Sequence, residues 1–102
     1  PWPIGRDLVA RDQQAFLGAV REAVRAFFFD WATIESLGCG AIVNTPVVSD
    51  GVTIGSINFL GPEGSLDESS IPIALEITAA AVDAVVVARA EAFSELADEA
   101  GR

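Results

Sequence analysis

The spacing of apolar positions switches between helical and strand periods along this chain. Over residues 20–31, Val20, Val24, Phe27, Phe28 and Trp31 recur at separations of three and four, opposite Arg21, Glu22 and Arg25. That pattern predicts a helix with one buried face. Residues 33–37 would add a further helical turn, which Gly38 and Gly40 stop. The period then changes. Between residues 38 and 60, two runs rich in β-branched residues flank Ser49-Asp50-Gly51. Asp-Gly between such runs predicts a β-hairpin, because Gly takes positive φ at no steric cost.

A two- or four-residue connection about Asp50-Gly51 fixes which side chains share a face. One face would hold Val43, Thr45, Val47, Ile54, Ser56 and Asn58, a mixture suited to a pocket floor. The other would hold Ile42, Asn44, Val48, Gly55, Ile57 and Phe59. It is the more apolar face, and Gly55 would admit a helix close to the strand, so it is expected to carry the helix layer. A three-residue connection would exchange the faces.

Gly61-Pro62-Glu63-Gly64 reads as a loop, and Asp67-Glu68-Ser69-Ser70 supplies acidic and capping side chains for a helix start. Pro72 is tolerable only in a first turn, so the helix is expected over about residues 69–98. Its body is apolar nearly all round as far as Val87 and amphipathic beyond it. A helix of that kind needs two layers to bury it: this domain's sheet and either a partner subunit or a further part of the same domain. Upstream, Pro1-Trp2-Pro3-Ile4-Gly5 predicts an irregular lead-in. Residues 6–26 admit two readings. One is a single helix broken at Gly18; the other is a short helix over 6–11, a strand around 14–18 and a second helix from Ala19.

Composition narrows the chemistry. The 102 residues suit one small domain, and 51% hydrophobic residues supply a real core. A formal charge of -9, with no Lys/Arg cluster, opposes phosphate binding, so neither nucleic acid nor an anionic membrane surface is an expected partner. The apolar segment 79–88 is interrupted by Asp83 and closed by Arg89, which makes it too short for a membrane span, and no signal peptide is evident. The chain has no His, which removes imidazole metal ligation, a His-ligated haem and His-based acid/base catalysis. One Cys excludes an internal disulfide and a multi-Cys zinc site and fits a reducing cytoplasm. No cofactor or metal is expected. Starting at Pro1 without any Met, the chain is expected to be a fragment or a trimmed form.

Candidate chemistry is sparse. Cys39 has no His, Lys or Arg beside it in sequence to lower its pKa, so it reads as a small buried or half-buried thiol. Each of Asp30, Glu35, Asp50, Glu63, Asp67 and Glu68 has a structural role open to it, as turn, loop, cap or solvated face. There is no phosphate loop, no dinucleotide fingerprint and no nucleophile elbow. The Phe27-Phe28-Phe29 and Trp31 cluster reads first as core packing, and second as the wall of a small-molecule pocket.

At the hairpin the sequence resembles the GAF domains. Residues 37–48, then Asp50-Gly51, then Ile54-Gly55-Ser56-Ile57-Asn58-Phe59, look like that family's strand, turn and strand, and Leu66-Asp67 opens a long C-terminal helix in the matching place. The likeness covers about residues 38–90 and extends weakly upstream, where it favours the strand at 14–18 over the continuous helix. It implies an α+β fold: an antiparallel sheet with a central hairpin packed on the long C-terminal helix, as a single domain spanning 1–102. The first strands of the family's sheet have no counterpart before Pro1, so an open edge and an exposed apolar face are expected.

The resemblance also implies a function: a small-molecule-binding sensory or regulatory module of a signalling protein, not an enzyme. It would be cytoplasmic and a homodimer through the C-terminal helix, with its cavity between the sheet and residues 20–37. Phe28, Trp31, Thr45, Ser56 and Asn58 would line that cavity. Two alternatives stand beside it, a purely structural dimerisation module and, more remotely, a thiol-based reductase, which would ordinarily need more than the single Cys39.

Overall fold

The computed structural model describes residues 8–100. After one helical turn at residues 8–10, the chain forms β1 (Phe16–Gly18), α1 (Arg21–Phe27), α2 (Trp31–Ser36), β2 (Ala41–Ser49), β3 (Val52–Gly61) and α3 (Ser70–Ala100). The class is α+β: a three-stranded antiparallel sheet in the order β1-β2-β3, with α1 and α2 on one face and the long α3 on the other. Of the two readings of the front of the chain, the split one holds, with the strand at Phe16–Gly18 and the helix after it. The lead-in at residues 1–5 lies outside the described residues.

The helix expected over 20–31 is two helices. Phe28 is extended (φ -112°, ψ 131°) and ends α1. That break turns Phe27 and Phe28 inward together, their rings edge to face at 4.8 Å, while Phe29 stands in solvent. A continuous helix would splay three consecutive aromatics about 100° apart and could not aim two of them at one place.

α2 closes in a Schellman motif. The amide of Gly38 (φ 84°) donates to Glu35 O and that of Cys39 to Ile34 O, and Cys39 packs on the cluster of Val24, Phe27, Ile34 and Ile42 that forms the core of this layer. α1 lacks a side-chain cap of its own at Val20. Its cap comes from 42 residues away, where the Glu63 carboxylate accepts from the Arg21 amide at 2.8 Å. Gly40 makes room for this arrangement, since a Cβ there would lie 2.9 Å from Glu63 Cβ.

The hairpin turns on two residues, as expected, with Asp50 (φ 51°) and Gly51 (φ 77°) both left-handed, the geometry that matches the strands' own twist. The pairing nevertheless corrects the expected faces. Ser49 pairs with Val52 and Val48 with Thr53, but Val47 then pairs with Gly55, so Ile54 is an extra residue on β3. This β-bulge shifts the register by one, and a shift of one inverts every β2 side chain relative to β3. β3 keeps the expected arrangement, with Ser56 and Asn58 on one face and Ile57 and Phe59 on the other. On β2 the faces are exchanged: Val43, Thr45 and Val47 lie with Ile57 and Phe59 under α3, while Ile42 and Asn44 lie with Ser56 and Asn58 under α1.

α3 starts as its sequence predicts. Asp67 Oδ1 accepts from the Ser69 amide at 2.8 Å and from the Ser69 hydroxyl, and Ser70 Oγ accepts from the Asp67 amide at 3.1 Å. The two bonds from Ser69, its hydroxyl foremost, hold the Asp67 carboxyl below its ordinary pKa. Only one stripe of the helix is covered, Ala74 and Thr78 fully and Val82 and Val85 in part. Gly55 faces Val85, though at the ordinary contact distance of 3.8 Å for an added Cβ, so no close helix approach depends on it. At 1.5 Å per residue the 31 residues of α3 run about 46 Å, which accounts for the 47 Å longest dimension.

The helix runs unbroken through Asp83. The expectation that the apolar segment is too short to span a bilayer is therefore corrected: the stretch Ser70–Asp98, with an 18-residue window of mean hydropathy 2.0, is long and apolar enough by length and composition.

Candidate functional site

A cavity of about 580 Å³ opens between the hairpin and the α1 layer. That volume lies within the ~300–1,000 Å³ usual for small-molecule sites. Its floor is the face of β2 and β3 carrying Asn44, Ser56 and Asn58, with Thr53, Ile54 and Gly55 at the bulge. Phe27 and Phe28 form one wall, and Val9 and Ala10 of the first helical turn the other. Phe16 stacks on Phe27 at 4.8 Å and pairs with Asn44 across β1 and β2, so the aromatic wall is braced from the sheet itself.

The polar floor is ordered by its own hydrogen bonds. Asn44, buried, sits opposite Asn58 in the ladder. Its Nδ2 donates to Asn58 Oδ1 and, at 3.4 Å, to Ser56 Oγ. Asn44 Oδ1 and Asn58 Nδ2 make no side-chain hydrogen bond among the described residues. Thr53, at the cavity margin, holds a hydroxyl oxygen that is buried and has no partner among the described residues. Among the described residues, none that lines the cavity is ionisable.

Of the five residues expected to line the site, the structure brings Phe28, Ser56 and Asn58 together and leaves two elsewhere. Thr45 is on the opposite face, fully buried under α3, with its Oγ1 2.5 Å from Thr78 Oγ1; the bulge at Ile54 put it there. Trp31 stands outside the cavity, 37% exposed, with the Arg25 guanidinium 4.7 Å above its ring. Arg25 is in turn bonded to Glu35 at 2.7 and 3.2 Å, which raises the pKa of the guanidinium and lowers that of the carboxyl, mainly through the side-chain hydrogen bond. Beyond those three, the lining holds Phe27 and Ile54, which the aromatic cluster and the mixed strand face predict, and Val9, Ala10, Asn44, Thr53 and Gly55, which they do not. Asn44 lies on the opposite face in the unbulged register, so no sequence signal marked it.

No protein-family model, curated protein or solved structure matches this chain. The site must therefore be judged on its own geometry. Cys39 is half-buried at the edge of the α1 and α2 core and outside the cavity lining, and among the described residues no cluster of His, Cys, Asp or Glu could hold a metal ion.

α3 offers a second surface. A small apolar groove of about 200 Å³ runs between Val43 and Phe59 of the sheet and Ile73, Ala74 and Ile77 of the helix. It continues into an exposed line of Ile73, Ile77, Ala80, Ala84 and Val87, which follows the alternating four-and-three spacing of a coiled-coil seam.

Proposed function

We propose that this chain is a small-molecule-binding sensory module of the GAF type that works as a homodimer through α3. The observation that carries the reading is the cavity itself, in which an aromatic wall faces a floor of oriented, incompletely paired amides and hydroxyls. A domain needing only a core would fill that space with aliphatic side chains and avoid a buried asparagine. The order of the elements supports the GAF assignment: strand, helical cover, hairpin and long terminal helix, with the cavity between the hairpin and the cover.

The dimer rests on α3. Its seam residues Ile73, Ile77 and Val87 are exposed in the single chain, and a second copy of the helix would cover them by knobs-into-holes packing. A bilayer is a poorer cover. The same helix is bonded to a sheet with an open β3 edge among the described residues, and open sheet edges do not occur in hydrocarbon. Glu76 and Asp83 also lie on the face of α3 opposite Ala74 and Thr78. In this reading, ligand occupancy of the cavity alters the hairpin, and the hairpin transmits the change to α3 through the Thr45–Thr78 contact.

A thermal-shift screen of metabolites on the folded chain tests the binding function, with hits mapped by amide chemical shifts. Hits that perturb Asn44, Ser56 and Phe28 support it. A negative screen by both methods leaves the structural dimerisation module, which the exposed seam of α3 favours on its own.

A further inference from the structure

We infer that β3 is a docking edge for the β3 of a second copy of this chain, paired antiparallel across a two-fold axis at Asn58. The inference rests on the homodimer proposed above and says where its two copies meet. The edge itself is the first observation. β1, at one side of the sheet, has three residues, whereas β3, at the other, has ten and contains no charged residue and no Pro. Short length, charge and Pro are devices that ordinarily blunt an edge, and β3 has only its bulge at Ile54, which leaves residues 55–61 in regular pairing. Every second residue there turns its N–H and C=O outward. Among the described residues, no backbone group of residues 55–60 bonds to a segment outside the hairpin.

Charge and symmetry select the occupant. The chain carries -9, so a second copy is repelled over most of its surface. Along Val52–Gly61 two copies meet without like charges opposed, and a basic strand would find no carboxylate to pair with. A two-fold axis perpendicular to the sheet keeps each side chain on its own face, and the regular stretch 55–61 is centred on Asn58. That centre sets Asn58 opposite the partner's Asn58, Ile57 opposite the partner's Phe59, and Ser56 opposite the partner's Leu60. On the α3 face this makes two pairs of an aromatic with a β-branched side chain, beside the groove that Phe59 forms with Ile73 and Ile77. On the other face, α1 packs over β1 and β2 and leaves Ser56, Asn58 and Leu60 exposed, so the cavity is open toward β3. The partner's Asn58 and Leu60 then stand at that opening, and each copy completes the other's site.

Charge at the axis tests the register. Asn58→Lys and Asn58→Glu each set like charges against one another, so each should convert the dimer to a folded monomer by light scattering and circular dichroism. Mixed in equal amounts, the two variants should associate again, because opposite charges then face across the axis. In the isotope-labelled wild-type chain, the outward amides of residues 55–61 should exchange roughly tenfold more slowly, or slower still, in concentrated than in dilute solution. If substitution of Asn58 unfolds the chain, this exchange measurement decides alone. Variants that dimerise separately, variants that stay apart when mixed, or β3 exchange that is unchanged as the wild type dimerises overturn the inference and leave a dimer through α3 standing. A wild-type chain that is monomeric at high concentration overturns both.

Discussion

Replacing Thr78 by Val removes a hydroxyl that joins the hairpin to the long helix. Thr78 Oγ1 donates to Ala74 O at 2.7 Å, so its contact with Thr45 Oγ1 at 2.5 Å places Thr45 as the donor. Both residues are buried, at 0% and 3% exposure for Thr45 and Thr78. Valine nearly matches threonine in shape, so no cavity opens and the change reports on the hydroxyl alone. In Thr78→Val, the Thr45 hydroxyl is left with Ile57 O at 3.5 Å, at the limit of a hydrogen bond. A buried donor without a good acceptor costs roughly 1–3 kcal/mol. In Thr45→Val, Thr78 keeps its bond to Ala74 and loses only an incoming donor, at about 1 kcal/mol. The double variant strands neither group and replaces two hydroxyls by methyls, so it should be within about 1 kcal/mol of the wild type. The coupling is then about 1–3 kcal/mol in favour of the double variant, well above the ~0.5 kcal/mol within which independent sites add. Urea unfolding at one fixed protein concentration measures all four chains, the fixed concentration removing any contribution from association. Additive losses in the double variant would refute the shared network. They would also refute the bulged register, because without the bulge Thr45 would face the cavity and could not reach Thr78.

The remaining predictions concern other contacts. Gly40→Ala should cost about 1–3 kcal/mol by pushing Glu63 away from the α1 N-terminus, and Glu63→Gln should cost less than Gly40→Ala, both read from urea midpoints. Glu35 has a folded-state pKa lowered by Arg25, so its contribution to stability is present above the unfolded carboxylate pKa and is lost as pH falls through the lower folded value. Glu35→Gln should therefore flatten the acid limb of stability between about pH 5 and pH 3, and an unchanged limb would contradict the pairing. Ile77→Glu on the exposed seam should shift the mass measured by light scattering from dimer to monomer with the helical circular dichroism retained. A wild-type chain that is monomeric at high concentration would remove the dimer.

Most of the architecture was legible because its signals are local. Asp50-Gly51 between β-branched runs located the hairpin turn, which the structure makes with two residues, both left-handed, and Asp67 with Ser69 and Pro72 marked the α3 start within one residue. Two features were not legible for the same physical reason, namely that their cause is distant in sequence. α1 begins without a capping side chain of its own because Glu63 serves from another loop. The break at Phe28 follows from packing two rings on a sheet residue, Phe16, which no helical period reveals.

The bulge at Ile54 decided the site, and it left no mark in the sequence. A bulge announced by glycine can be anticipated, but here the extra residue is a β-branched isoleucine between Thr53 and Gly55, as suited to a regular strand as its neighbours. Its effect is binary. In the unbulged register Ser56 and Asn58 would share their face with Thr45 and Val43, and Asn44 would be trapped under α3 without Thr78's complementary hydroxyl geometry. With the bulge, the larger amide meets Asn58 at the cavity floor, and the compact hydroxyl of Thr45 meets Thr78 beneath the helix. The polar residues of β2 are thus each satisfied in one register only. Forcing Ile54 into the ladder opposite Val47 would drive Asn44 under α3 and Thr45 into the cavity, leaving polar groups unpaired on both faces at once. That mutual dependence makes the bulge the feature on which the cavity and the α3 contact both rest.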